Sequence, residues 1–82
     1  MSTHTIKTPI PGVFYRRSSP DAPAYVEQGS SVKVGDTIGL VELMKSFHPV
    51  TSDVNGIVTS VLVEDNAEVS PGQNIIEITI SD

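Results

Sequence analysis

Cysteine and tryptophan are absent from this sequence, and basic side chains are scarce. Without cysteine there is neither a disulfide framework nor a thiolate metal site, which fits a cytoplasmic setting. Five Lys and Arg stand against ten Asp and Glu, for a formal net charge of −5. Non-specific binding to the phosphates of nucleic acid is therefore disfavoured, and two Phe and two Tyr make no base-stacking platform. No apolar run approaches the roughly 20 residues that cross a bilayer, so no membrane partner is expected. Residues 1–10 also lack the apolar core of a signal peptide. His4 and His48 have no further ligand at metal-binding spacing. No carboxylate pair, Gly-rich phosphate loop or Ser-His-Asp arrangement announces catalysis, so the chain does not read as an enzyme. Its 82 residues make one small domain, which buries only about 60% of its unfolded surface and leaves little room for a deep cleft.

What the sequence does hold is turn chemistry and β-prone runs. Six Gly and six Pro separate short segments rich in Val, Ile and Thr, and no segment keeps a helical period beyond one turn. Strands are expected at 5–8, 13–16, 37–44, 46–51, 57–63 and 74–80, with 1–4 a frayed tail and 64–67 a turn. Residues 17–24 carry two prolines, two serines and an aspartate, a composition that reads as a stiffened loop with a β-turn at 19–22. The fold class is all-β, a sandwich or barrel.

An internal repeat organises the chain. Val26-Glu27 recurs as Val63-Glu64, thirty-seven positions later, and at the same spacing Gly29 meets Asn66, Val32 meets Val69, Gly35 meets Gly72, Ile38 meets Ile75 and Val41 meets Ile78. In the last strand Ile76, Ile78 and Ile80 alternate onto one face with Glu77 and Thr79 on the other. The repeat then turns Gly39, Val41 and Leu43 inward and Glu42 outward. From Gly12 to Val26 is 14 residues, but from Gly56 to Val63 only 7. The extra residues lie within 16–25, and an insertion the second half manages without reads as functional.

The central stretch Glu42-Leu43-Met44-Lys45 places a lysine at a hairpin tip between the two halves. An ordinary lysine amine is protonated at neutral pH, its pKa being about 10.4, and is a poor nucleophile. Lys45 therefore reads as an acceptor presented to another protein, not as a catalyst. Phe47 reads as partial packing against the hairpin. Met44 suits packing or recognition equally, Glu42 suits a solvent-facing strand position or a contact with a modifying enzyme, and Arg16 and Arg17 taken singly are solvated charge.

Those residues resemble the Glu-Ala-Met-Lys motif of the biotinyl/lipoyl attachment family. Gly12-Val13-Phe14-Tyr15-Arg16 followed by Ser19-Pro20-Asp21-Ala22 is similar to the thumb of the family's acetyl-CoA carboxylase carriers. The likeness covers residues 6–80. It implies a flattened barrel-sandwich of two four-stranded antiparallel sheets, with Lys45 at one end and the termini at the other. The carrier domain would span residues 5–82, with a thumb over about 17–23. It implies covalent biotin on Lys45, with Met44 and Glu42 in the motif and Arg17, Ser18, Ser19 and Pro20 in a thumb leaning towards the biotin. The partners it implies are a biotin protein ligase, a biotin carboxylase and a carboxyltransferase, and the setting is fatty acid synthesis. The chain departs from the pattern at Leu43 and Ser46, where the family has alanine and methionine, and at Arg17-Ser18, where the thumb often reads Thr-Pro. A lipoyl carrier, which typically has Asp-Lys at the tip, and an unmodified docking adaptor of the same fold are the alternatives.

Overall fold

The computed structural model describes residues 2–80. Among them are eight strands and no helix: β1 (Thr3–Lys7), β2 (Gly12–Tyr15), β3 (Ser31–Val32), β4 (Thr37–Leu43), β5 (Ser46–Thr51), β6 (Gly56–Val61), β7 (Ala67–Val69) and β8 (Asn74–Ile80). They form two antiparallel four-stranded sheets, ordered β1-β8-β6-β3 and β5-β4-β2-β7. The inner faces meet in a core dominated by Phe14, Ile38, Val41, Val58, Ile75, Ile76 and Ile78, each no more than 1% exposed.

The repeat explains the strand order. Exchanging β1 with β5, β2 with β6, β3 with β7 and β4 with β8 turns one order into the other. The exchange holds atom by atom. Thr8 Oγ1 donates to the Ile10 carbonyl at 2.6 Å, and its counterpart Ser52 Oγ donates to the Val54 carbonyl at 2.7 Å. Both side chains are buried, and each hydroxyl satisfies a chain reversal that would otherwise bury unpaired polar groups. A Cβ on Gly12 would strike the Glu42 carbonyl, and one on Gly56 would strike the matching Thr79 carbonyl, so both strands enter their sheets through a backbone approach only glycine permits. Gly29 and Asn66 share a left-handed backbone, with φ of 94° and 69°. In the interior the halves trade volume. Phe14 fills the space over Gly39, whereas the matching pair is Val58 and Ile76.

Several strand limits differ from those expected: β1 ends at Lys7, β2 runs Gly12–Tyr15 and β6 starts at Gly56, each one residue from its expected bound. β1 starts at Thr3, because the β8 ladder runs out to Thr3↔Thr79 and His4↔Ile78. Thr3 and His4 are therefore strand and not a frayed tail, and Met1 lies outside the described residues. β4 stops at Leu43, since Met44 has a φ of 53°. β6 stops at Val61, after a register shift between Val58 and Ser60. Ala67 is not turn but the start of β7, paired with Phe14. The segments 26–27 and 63–64 are strands in neither half, though Val26 is a core residue.

His4, at the start of β1, bonds Asp53 at 2.8 Å, just past the end of β5 that lies away from its turn with β4. The two edge strands run antiparallel across this seam, so the β4–β5 turn and the outer ends of β1 and β8 lie at opposite ends of the sandwich.

Candidate functional site

From Gly39 onward β4 and β5 stay in register to their last pair, Leu43↔Ser46, leaving only Met44 and Lys45 to reverse the chain. Their φ angles are 53° and 66°, both left-handed as a type I′ turn requires. Such turns favour Asn-Gly, because a side chain at positive φ costs roughly 1–2 kcal/mol per residue. Strain of this kind concentrates at functional sites. Met44 is 89% exposed. Lys45 is exposed too, and its amine makes no hydrogen bond or ion pair among the described residues.

Below the tip, Glu42 points outward as expected and is half-buried. It accepts a 2.9 Å hydrogen bond from the Tyr15 hydroxyl on β2. That bond, then burial, then the negative charges of Glu42 and Asp65, push the Tyr15 phenol above its ordinary value of 10.0. Phe47, across the ladder from Glu42, tilts against the Tyr15 ring with centroids 5.9 Å apart. It is nonetheless 57% exposed, so the hairpin packs only one of its edges.

The insertion is a braced loop. The Tyr25 N–H donates to the Arg16 carbonyl at 2.8 Å and closes its base. The Arg16 N–H donates to Asp65 Oδ1 at 2.8 Å, and Arg16 Nη2 to the Val26 carbonyl at 3.1 Å. The Ala22 N–H returns to the Ser19 carbonyl at 3.1 Å, the turn expected around Pro20, and Arg17 Nη1 caps the Ala22 carbonyl at 3.3 Å.

Between this loop and the sheet lies a groove of about 300 Å³, lined by Tyr15, Arg17, Ser18, Ser19, Pro20, Phe47, Asp65 and Asn66. Arg17 Nε is buried and has no hydrogen-bond partner among the described residues. A larger hollow, about 490 Å³ on the seam between β1 and β5, contains none of the expected site residues. The fold thus brings Arg17, Ser18, Ser19 and Pro20 together with Phe47, and reaches Glu42 through Tyr15. Met44 and Lys45 stand on the turn, outside the groove lining. Tyr15, Asp65 and Asn66 were missed in the sequence. Tyr15 was findable, because it alternates with core residue Phe14 and must share the outer face with Glu42. Asp65 and Asn66 were not, since they approach the loop from the opposite half of the chain.

Comparison with known proteins agrees with this geometry. The family model described as biotin-requiring enzyme matches residues 4–78. The biotin carboxyl carrier protein of acetyl-CoA carboxylase from Haemophilus influenzae is 41% identical over 78 residues, covering 95% of this chain and 50% of that protein. Its counterpart in Pseudomonas aeruginosa is 36% identical, with the same coverage. The chain therefore spans about half the length of these relatives. Among solved structures, the urea carboxylase of Kluyveromyces lactis superposes with a TM-score of 0.78 at 20% identity, over 96% of this chain and 6% of that one. A single-chain, multi-domain long-chain acyl-CoA carboxylase superposes at 0.79 and 18% identity, over 98% and 7%. At those identities the two structures speak for the fold. With the family model covering nearly all of the sequence, this chain belongs to the biotin-requiring enzyme family.

Proposed function

We propose that Lys45 is the attachment point of biotin and that the chain is the carrier domain of a biotin-dependent carboxylase of the acetyl-CoA carboxylase type, serving fatty acid synthesis. The observation that carries this reading is the strained two-residue turn, which holds an unpaired lysine clear of the sandwich, beside a groove built by the one unrepeated segment. The domain is non-catalytic. Its partners are a biotin protein ligase, a biotin carboxylase and a carboxyltransferase, and its setting is the cytoplasm, where the ligase finds ATP.

In the attachment step the deprotonated Lys45 Nζ attacks the acyl carbon of a biotinyl adenylate. An amide C–N bond forms, the acyl C–O bond to phosphate breaks, AMP leaves with that electron pair, and the amine gives up a proton to the medium. Lys45 needs only to be exposed and fixed in place, and the turn meets both needs. The groove suits the group. Tyr15 and Phe47 offer aromatic surface, while the exposed Ser18 and Ser19 hydroxyls offer donors for a carbonyl oxygen. Arg17, Ser18, Ser19 and Pro20 would contact the bound group, with Met44 and Glu42 framing its attachment. Bound biotin supplies a nitrogen that takes up and releases CO2, and the protein's part is placement. The stiff sandwich below the turn presents a defined shape to successive partners.

Intact mass after incubation with a biotin protein ligase, ATP and biotin tests the reading. One biotinyl increment is expected, and it should be absent from Lys45→Ala. No increment at saturating ligase would sink the proposal. A lipoyl increment with a lipoate ligase instead would favour a lipoyl carrier, and neither modification would favour a docking adaptor.

A further inference from the structure

Asn55-Gly56 is the one place in the sequence where glycine follows asparagine, since Asn66 precedes Ala67 and Asn74 precedes Ile75. A main-chain nitrogen whose own residue carries no Cβ is free to approach the preceding side chain, and asparagine is among the thermolabile residues. The pseudo-two-fold relation shows that the fold does not need this pair. The position matching Asn55 is Pro11, which precedes Gly12 as Asn55 precedes Gly56. The two corners are otherwise alike: the Gly35 N–H donates to the Ser52 carbonyl at 2.8 Å, and the Gly72 N–H to the Thr8 carbonyl at 2.7 Å. The Asn55 carboxamide has a partner of its own, because the Val34 N–H donates to its Oδ1 at 2.9 Å. By the repeat Val34 matches Pro71, which has no N–H to give. One half thus closes this corner with two prolines, and the other with an asparagine and the donor that holds it.

We infer that Asn55-Gly56 is a self-modification site, at which the chain with water converts Asn55 to aspartate and isoaspartate, and that the Val34 N–H restrains the conversion. The Gly56 nitrogen attacks Asn55 Cγ. A C–N bond forms, the Cγ–Nδ2 bond breaks, and ammonia leaves with that electron pair and the proton that the Gly56 nitrogen gives up. Water then opens the cyclic imide. Cleavage of the new bond to Cγ yields aspartate, and cleavage of the original peptide bond leaves the main chain running through Cγ as isoaspartate. Water is the only co-reactant, and it reaches Asn55, which is exposed. The fold holds the reaction back from both sides. The bond from Val34 fixes the carboxamide, and Gly56 is set within its sheet, opposite Val32 on one side and Ile80 on the other. Val32 belongs to β3, a two-residue strand at the sheet's edge, and short edge strands open at low cost. Val34 lies just beyond it, so one opening frees the carboxamide and loosens the ladder together. The two products differ in what they do to the fold. An aspartate still accepts from the Val34 N–H. Isoaspartate adds a methylene to the main chain directly before Gly56, whose backbone lies so close to the Thr79 carbonyl that a Cβ would strike it.

The test follows the whole chain by intact mass and peptide mapping during incubation in mild alkali, in native buffer and in urea. Amide-to-acid conversion is expected at Asn55 ahead of Asn66 and Asn74, with isoaspartate read out by an isoaspartyl methyltransferase and labelled S-adenosylmethionine. Conversion should run at least about tenfold faster in urea, where the restraining contacts are gone. Val34→Pro installs the counterpart residue at a turn position that suits proline, ahead of Gly35 with its φ of 93°. It should speed the native reaction about fivefold, the worth of one net hydrogen bond, and leave the rate in urea unchanged. Asn55→Asp should keep the parent's urea midpoint, whereas chain enriched in isoaspartate should unfold at lower urea. Conversion no faster at Asn55 than at Asn66 or Asn74 overturns the inference, and so do equal parent rates in native buffer and urea. A native reaction in Val34→Pro at the parent's rate or slower overturns the restraint assigned to Val34. The parent's two rates are compared without any substitution, so the inference stays open to refutation should Val34→Pro fail to fold.

Discussion

The two halves of this chain agree in their interiors and part company at their surfaces. Inside, Thr8 answers Ser52, Gly12 answers Gly56, and the turn at Gly35 answers the turn at Gly72. Outside, Thr3 and Thr5 stand where the counterpart face shows Phe47 and Pro49. The bond between Thr59 and Thr79 hydroxyls, 2.7 Å, occupies the place of the Tyr15–Glu42 bond. The Met44-Lys45 turn has as its counterpart the open ends of β1 and β8. Burial demands the same solution twice, because a small sandwich has few ways to satisfy its reversals and fill its core. Solvent-facing positions are released from that demand, so their divergence marks what one half does that the other does not.

The comparison is broken most severely where the interiors trade volume. Gly39→Ile, which imports the matching Ile76, drives a side chain into the Phe14 ring and should cost about 3 kcal/mol in urea denaturation. Phe14→Val alone leaves a cavity, with a cost of about 2–3 kcal/mol. Together they recreate the Val58–Ile76 pair, and the double variant should recover at least about half of the summed loss. Strict additivity would show that the halves do not pack alike.

Next in size is the tip. Replacing Met44-Lys45 by Asn-Gly relieves two left-handed side chains and should stabilise the fold by about 1–2 kcal/mol. The proposed attachment site goes with Lys45. A destabilised Asn-Gly variant would mean that the turn is not strained as its φ angles indicate.

Tyr15→Phe removes the bond that replaces Thr59–Thr79 and should lower the urea midpoint slightly at neutral pH. The Tyr15 phenol is raised in the folded state, so its contribution is full below about pH 10 and disappears as pH climbs through the higher folded value. The gap between parent and variant in urea midpoint should therefore narrow in strong alkali. The most alkaline component of tyrosinate absorbance should be missing from the variant. A constant gap across that range would show that the hydroxyl bond contributes nothing to stability.

The smallest effect is expected from deleting residues 17–23. The second half folds without such a segment, and Arg16 and Tyr25 already meet through a backbone bond. The change in stability should stay below about 1 kcal/mol. A chain that no longer folds would show that the insertion braces the sheet through Arg16 and Asp65.

The repeat, the turn residues and the alternation of apolar positions were open to reading in the sequence, because they express local backbone rules. Gly, Pro and Asn mark where the chain reverses, and period-two alternation marks which side faces in. That was enough to place β4, β5 and β8, to turn Glu42 outward and to isolate the inserted segment. It was not enough for β7, whose Glu68 is flanked by only two apolar residues and which becomes a strand by pairing with β2. Nor was it enough for Thr3 and His4, ordered by the partner that β8 offers them.

By itself the sequence determined the all-β class, the two-fold plan and the candidacy of Lys45, since each is written in local patterns or in their repetition along the chain. Only the tertiary structure decided what surrounds that lysine. The Tyr15–Glu42 bond, the hold of Asp65 on the Arg16 backbone and the groove shared by Phe47 and the inserted loop join residues far apart in sequence, and no local rule couples them. The left-handed turn belongs with these. Met44 and Lys45 do not favour it, and the ladder that pairs Leu43 with Ser46 forces it on them.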